Sequence, residues 1–225
     1  MELSTRVPEP ELMDTAEQAR AYAGADFTEP HEAFVNRFRE RFPAFGAGRV
    51  LDLGCGTADV TMRFARAYPE VRVHGVDGAA AMLAEGITLV RDADVGDRVS
   101  LELVRLPDPA FSGAAYDAVI SNSLLHHLTD PSVLWATVAS AVGPGAPVFV
   151  MDLCRPASTD AAQNLVDTYA AGESPVLRED FYRSLCAAYT PREVTEQLAA
   201  VGLDAFRVER AGDRHLLVWG RTRKR

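Results

Sequence analysis

The chain has 225 residues, with 23 Lys and Arg against 32 Asp and Glu, a formal charge of −9, and 48% hydrophobic, 24% charged and 8% aromatic residues. Such a length accommodates one ample domain with a real core, and these proportions exclude a collagen-like, disulfide-scaffold or wholly disordered chain. The acidic balance argues against a nucleic-acid partner, because backbone binding relies on clustered Lys and Arg.

The first forty residues hold two predicted helices, Thr15 to Ala23 and His31 to Arg41, with no partner strand. From Val50 onward, short β-branched runs alternate with longer helical stretches, the rhythm of βαβ units and a parallel sheet. The predicted strands are Arg49 to Gly54, Val71 to Asp77, Val99 to Val104, Tyr116 to Ser121 and Pro147 to Asp152. Helices are expected between them, from about Val60 to Tyr68, Ala79 to Ala93 and Ser132 to Val142, the last opened by Asp130-Pro131 and closed by Gly143-Pro144-Gly145.

After Asp152 the rhythm breaks, and Leu153 to Ala200 reads almost entirely as helix. Connections in compact domains run to ~4–6 residues, so an insertion of this size is expected to carry a lid or a binding surface. Helical pieces are predicted at Thr159 to Ala170, Glu179 to Ala188 and Pro191 to Val201, with Thr190 and Glu193 forming a capping box on the last. Two closing strands, Ala205 to Arg210 and Arg214 to Gly220, flank the turn Ala211-Gly212-Asp213, so a hairpin brings an antiparallel strand to the sheet. The terminal Arg221, Arg223, Lys224 and Arg225 read as a charged tail.

Cys55, Cys154 and Cys186 lie far apart with no C-x-x-C, which suggests neither a disulfide framework nor a zinc knuckle, and no metal site is expected. Met1 to Pro10 lacks the basic-then-apolar order of a signal peptide, and no run approaches the ~18 apolar residues of a membrane span. A cytoplasmic protein is expected.

The chemistry concentrates in Val50-Leu-Asp-Leu-Gly-Cys-Gly-Thr-Ala-Asp59, which follows a strand and opens a helix. Glycines there let the backbone turn tightly and approach a nucleoside-bearing ligand that a Cβ would block. The third glycine of the dinucleotide fingerprint is replaced by Asp59, which disfavours a dinucleotide. Asp77 ends the second strand, where a carboxylate can accept both ribose hydroxyl hydrogens, although an Asp there would also cap the next helix.

These strings, with Gly75-Val-Asp77, Met82-Leu83 and Tyr116-Asp-Ala-Val-Ile-Ser-Asn-Ser-Leu-Leu-His-His-Leu-Thr-Asp-Pro131, resemble the class I S-adenosylmethionine-dependent methyltransferases. The likeness runs from about Val50 to Asp152 in the correct order, and the terminal hairpin is similar to that family's reversed last strand. It implies an α/β, Rossmann-like, seven-stranded, mostly parallel sheet and S-adenosyl-L-methionine as cofactor. Residue by residue, it implies Gly54 and Gly56 beside the methionine and ribose, Asp52 near the ammonium, Asp77 on the ribose diol and Asn122 beside the transferring methyl. Where many relatives carry an acidic residue after strand three, this chain reads Val104-Arg-Leu-Pro-Asp108, so backbone groups around Arg105 and Leu106 are expected to receive the adenine.

His126 and His127 follow strand four, at the sheet edge where open α/β folds bind ligands, and either can act as general base or simply line the pocket. Tyr22 and Phe27 on one side, and Tyr182 with Tyr169, Phe181 and Tyr189 on the other, are candidates for an apolar acceptor pocket, with ordinary helix packing as the competing explanation. Cys154 and Cys186 would suit a soft metalloid acceptor such as arsenite, but free Cys is ordinarily an inert buried residue.

The expected organisation is one domain: an N-terminal helical lid (1–48), a cofactor-binding core (49–152), a helical substrate cap (153–200) and a C-terminal hairpin (201–225). The expected function is methyl transfer to a small-molecule acceptor by a monomer or homodimer, with neither nucleic acid nor membrane as partner. Two other classes stand beside it: an NAD(P)-dependent oxidoreductase, and a non-catalytic module that retains the fold.

Overall fold

The computed structural model describes residues 2–10 and 12–222, so Arg223, Lys224 and Arg225 of the basic tail lie outside the described residues. Seven strands form one sheet in the order β3-β2-β1-β4-β5-β7-β6. They are β1 (Ala47–Leu53), β2 (Glu70–Asp77), β3 (Val99–Leu103), β4 (Ala118–Asn122), β5 (Pro147–Leu153), β6 (Arg207–Ala211) and β7 (His215–Arg221). The first five pair in parallel, and β7 runs antiparallel between β5 and β6, as the hairpin pattern implied. Arg221 closes β7, donating to the Gly145 carbonyl, and so belongs to the sheet instead of the tail.

Helices α3 (Asp59–Ala67), α4 (Ala80–Arg91) and α5 (Ser132–Ala141) alternate with the parallel strands. A parallel sheet covered on both faces selects near-continuous apolar strands, and β5, Pro147-Val-Phe-Val-Met-Asp-Leu153, is buried along its whole length. On one face Phe34 and Phe38 of α2 (Thr28–Arg41) meet Phe64 and Phe149 edge to face. On the other, Leu134 and Trp135 of α5 and Leu198 of α8 (Pro191–Ala200) cover Leu51, Val119 and Val148.

The post-β5 insertion folds as α6 (Thr159–Tyr169), α7 (Pro175–Ala187) and α8. Each opens on a hydroxyl cap, Ser158, Ser174 and Thr190, and the Thr190–Glu193 capping box is present. Helix α7 begins four residues before the predicted Glu179 because Ser174-Pro175 supplies a cap followed by a residue with helical φ already set. Ahead of the sheet, α1 (Ala16–Gly24) packs on α4 and α7, and α2 packs on α3.

The strand order reverses between β1 and β4. Chains leaving the carboxyl ends of these two strands diverge to opposite faces, which opens a crevice there. No helix among the described residues is long and apolar enough to cross a membrane.

Candidate functional site

That crevice is a cavity of about 440 Å³, within the range of small-molecule sites. Its β1–β2 end is made by backbone. After β1 the chain turns through Gly54 (φ 73°) and Gly56 (φ 54°), both in the left-handed region that glycine adopts at little cost. Gly54 and Cys55 donate their amides to the Val76 carbonyl at 2.8 and 3.0 Å, which ties the turn to β2. A Cβ on Gly54 would sit 2.8 Å from the Leu124 side chain, so this turn is closed to larger residues.

Asp77 holds the turn from the other side. Its Oδ2 accepts from the Gly56 amide and its Oδ1 from the Ala79 amide, each at 2.8 Å. A carboxylate has about four acceptor positions, so it retains capacity for a ligand hydroxyl in the cavity beyond these amides. Burial raises the Asp77 pKa above the usual carboxylate value against these amide bonds. Asp52 lies deeper at the same end, accepting from the Thr61 hydroxyl at 2.6 Å, and burial pushes its pKa up to about 7. A cationic ligand group would restore its charge. Asp59, where a dinucleotide fold would have its third glycine, is committed elsewhere: its carboxylate meets His31 Nδ1 at 2.6 Å and Arg63 Nε at 2.9 Å.

Arg105 and Leu106 line the cavity just past β3, where the Val104 amide donates to the Asp77 carbonyl at 2.9 Å. Asn122 lies in the cavity wall at the end of β4, and its buried Oδ1 has no hydrogen-bond partner. An orphaned buried acceptor costs ~1–3 kcal/mol unless a ligand donor meets it. The buried Asp52, the half-buried Asp77, a glycine cradle and this orphan fit S-adenosylmethionine, whose ammonium and ribose hydroxyls are hydrogen-bond donors.

The β5 end is made by side chains. β4 leaves the sheet through Ser123 (φ 57°), and a single 3-10 turn, Leu125–His127, carries the histidine pair. Asp152 of β5 anchors this turn twice, accepting from the Leu125 amide at 2.7 Å and meeting His126 Nδ1 at 2.6 Å. Burial opposes charge on His126, yet the Asp152 and Glu9 carboxylates outweigh it and raise its pKa. Burial and the neighbouring His126 drive the His127 pKa well down.

Tyr22 and Phe27 line the cavity with ring centroids 4.6 Å apart, and burial pushes the Tyr22 hydroxyl up to about 12. The structure does not bring Tyr182 to the cavity. α7 brings Phe181 and Ser184 to the cavity wall, whereas Tyr182 does not line it and packs, as Phe181 also does, with the cluster of Leu153, Val166 and Cys186, against the expectation that placed it in the acceptor pocket. Tyr189 is likewise outside, its hydroxyl bonded to the Leu128 carbonyl and its ring beneath Arg6, whereas Tyr169 does line the cavity.

Three contributors went unread in the sequence. Asp152 appeared only as a strand end, although a carboxylate at the carboxyl edge of β5 is a usable signal. Ser184 is one hydroxyl on an amphipathic helix and Glu9 lies in an irregular segment before α1, so neither carries a periodic or motif signature.

The chain matches a family model described as a methyltransferase domain over residues 50–146. An uncharacterised methyltransferase of Mycobacterium bovis is 26% identical over 157 residues, covering 68% of this chain and 75% of that protein. The 27-O-demethylrifamycin SV methyltransferase of Amycolatopsis mediterranei is 26% identical over 163 residues, 71% of this chain and 60% of its own length. Among solved structures, a SAM-dependent methyltransferase from Aquifex aeolicus superposes with a TM-score of 0.68 at 14% identity, covering 92% of this chain and 98% of that one. Residues 50–146 therefore match a methyltransferase domain, and the whole chain shares its fold with solved SAM-dependent methyltransferases. The matched share of curated relatives' lengths runs from 25% to 75%, so several of them extend well beyond the matched segment. The methyltransferase match covers β1 through α5 and the start of β5's approach, so it contains Asp52, Gly54, Gly56, Asp77, Asn122 and the histidine pair but not Glu9, Asp152 or α7.

Proposed function

We propose that the protein transfers the methyl group of S-adenosylmethionine to a small-molecule acceptor held at the β5 end of the cavity. The observation that carries this reading is the single continuous cavity: the glycine turn and Asp77 form one end, and apolar side chains with the histidine cluster form the other. The bound cofactor supplies an electrophilic methyl on a sulfonium, so the protein needs to align an acceptor lone pair at ~3–3.5 Å and exclude water. Asp77 would hold the ribose diol, Asp52 the ammonium, and the chain around Arg105 and Leu106 the adenine, with Asn122 Oδ1 facing the reacting centre.

On the acceptor side, Tyr22 and Phe27 from the N-terminal cover and Phe181 and Leu177 from α7 offer an apolar enclosure. The parts of 1–48 and 153–200 that reach the cavity, Tyr22 to His31 and the inward face of α7, would then act as acceptor-selecting cover over the cofactor core of 49–152, while α2 and α8 pack on the sheet faces. His126, oriented by Asp152, and the adjoining His127 form the cluster that would draw the proton from an acceptor hydroxyl, amine or thiol. The rifamycin relative's name describes a small-molecule O-methylation, which supports an acceptor of that size class. The acidic composition, −9 overall, supports a small-molecule enzyme over a nucleic-acid modifier.

Calorimetry with S-adenosylmethionine and S-adenosylhomocysteine tests the cofactor reading, and failure of the wild-type protein to bind either would sink it. Incubation with isotopically labelled cofactor and a metabolite extract tests the acceptor reading: label is expected in a small molecule, and label confined to nucleic acid or protein would refute it.

A further inference from the structure

Glu9 comes from the irregular segment before α1, yet its carboxylate is buried against the histidine pair, with side-chain exposure of 8%. Its Oε1 lies 3.3 Å from His127 Nδ1 and 3.7 Å from His126 Nε2, and all three ligating atoms fall within 4.8 Å of one another. None of these approaches closes as a hydrogen bond. His127 Nδ1 is buried and without a partner, so Oε1 sits off the direction in which that nitrogen would point its proton or lone pair. Three lone-pair-bearing atoms converge, and Ser184 Oγ, at 3.1 Å from Oε1, is the hydroxyl donor that reaches Glu9.

Two metal–ligand bonds of ~2.0–2.1 Å at a tetrahedral angle place the ligand atoms about 3.3–3.4 Å apart, and each ligand then lies about 35° off its neighbour's lone-pair axis. The 3.3 Å separation and the unclosed hydrogen bond match that pattern. The other nitrogen of His126 is held by Asp152 at 2.6 Å, the carboxylate–histidine arrangement that fixes a metal-binding tautomer and leaves Nε2 free to ligate. Charge points the same way. The carboxylates of Glu9, Asp152 and Asp180 and the guanidinium of Arg6 act on this cluster, a surplus of two negative charges when both imidazoles are neutral.

We propose that Glu9, His126 and His127 form a three-ligand site for a divalent transition metal of the zinc or cobalt type, with its remaining positions open to the acceptor end of the cavity. Two imidazoles and one carboxylate favour such a metal over calcium or magnesium, which take oxygen ligands. The open positions would receive an oxygen donor of the acceptor, and a metal-bound hydroxyl releases its proton to solvent near neutral pH, so in the metal-loaded protein the ion acidifies the acceptor in place of proton transfer to the ligated imidazoles. The oxygen of that acceptor would then form the new bond to the methyl carbon as the carbon–sulfur bond breaks and its electron pair leaves on sulfur. This role rests on the acceptor reading above, whereas metal binding itself does not.

The test is titration of chelator-treated full-length protein with Co²⁺, read by its visible d–d absorption and by competition with Zn²⁺. One-to-one binding with intense bands of a four- or five-coordinate site is expected. Glu9→Gln and His127→Ala should each weaken Co²⁺ binding by about 100-fold or more, while His74→Ala, whose imidazole pairs with Tyr116 and Glu102 outside the cavity, should leave it unchanged. Circular dichroism would establish that the variants are folded. No one-to-one cobalt spectrum, or unaltered affinity in both folded cavity variants, would overturn the site. Acetohydroxamate, a small oxygen chelator, should shift the bands of bound cobalt, and unshifted bands would overturn its role toward the acceptor. Cobalt binding without S-adenosylmethionine binding would leave the site standing and the methyl-transfer reading refuted, and the converse result would do the opposite.

Discussion

The β1–β2 end of the cavity draws Asp52, Gly54, Gly56 and Asp77 from one β-α-β unit, whereas the β5 end is lined by His126 and Phe181, with Asp152 and Glu9 set behind the histidine pair, from four separate stretches of chain. At the first end the binding surface is largely main chain: two left-handed glycines and amides that Asp77 locks in place. At the second it is side chains whose aim depends on tertiary packing, with Asp152 reaching from β5 to set both the backbone and the imidazole of the neighbouring turn. Backbone geometry tolerates little substitution and suits a ligand that stays the same. Side chains presented by an insertion and an N-terminal strap can be exchanged without disturbing the sheet, which suits an acceptor that differs between relatives.

If the two ends are separable in this way, substitutions should sort into those that change cofactor affinity and those that change turnover. The largest effect is expected from His126→Ala, which should lower the chemical rate by ~10²–10⁴ while leaving S-adenosylmethionine affinity nearly unchanged, as single-turnover kinetics and calorimetry would show together. A parallel loss of cofactor affinity would break the distinction. Asp77→Ala removes two hydrogen-bonding oxygens and should cost about 3 kcal/mol of cofactor binding, roughly 100-fold in Kd, with circular dichroism unchanged. An intact variant that binds equally well would remove the ribose assignment.

A pH series sharpens the same end. Burial raises the Asp52 pKa to about 7, so the carboxylate is protonated below that pH and ionised above it. Because a cationic ammonium requires the ionised form, cofactor affinity should rise by roughly tenfold from pH 6 to pH 8, and Asp52→Asn should flatten this dependence. Flat calorimetric affinity in the wild type would detach Asp52 from the ammonium. The smallest effects lie in the cap. Phe181→Ala should raise the acceptor KM by roughly tenfold through lost apolar contact, whereas Tyr182→Phe, outside the cavity, should change neither kcat nor KM. Equal effects at both positions would mean that α7 presents a different face to the acceptor.

How far each end was legible follows from the same contrast. The parallel strands, the hairpin and the capping box at Thr190 and Glu193 were legible because periodicity and capping act over a few residues. Tyr182 was misplaced because Phe181 and Tyr182 are adjacent aromatics about 100° apart on a helix, and only packing decides which of them faces the cavity. The 3-10 turn that presents the histidines had no local signature, since its anchor, Asp152, lies in another strand. Glu9 was out of reach altogether, because nothing within ten residues of it signals a contact with His126 or His127.

The sequence by itself determined the alternating α/β order of an acidic 225-residue chain and pointed to a nucleoside site at the end of β1 and β2, because tight glycine turns and strand-end carboxylates act through backbone geometry close in the chain. What lies at the other end of the cavity was decided only in three dimensions. There the strand order β1-β4-β5, the irregular N-terminal segment and the inward face of α7 bring together groups with no sequence proximity. Burial then changes what those groups are: it suppresses charge on His127, while the carboxylates that folding places beside His126 favour charge there.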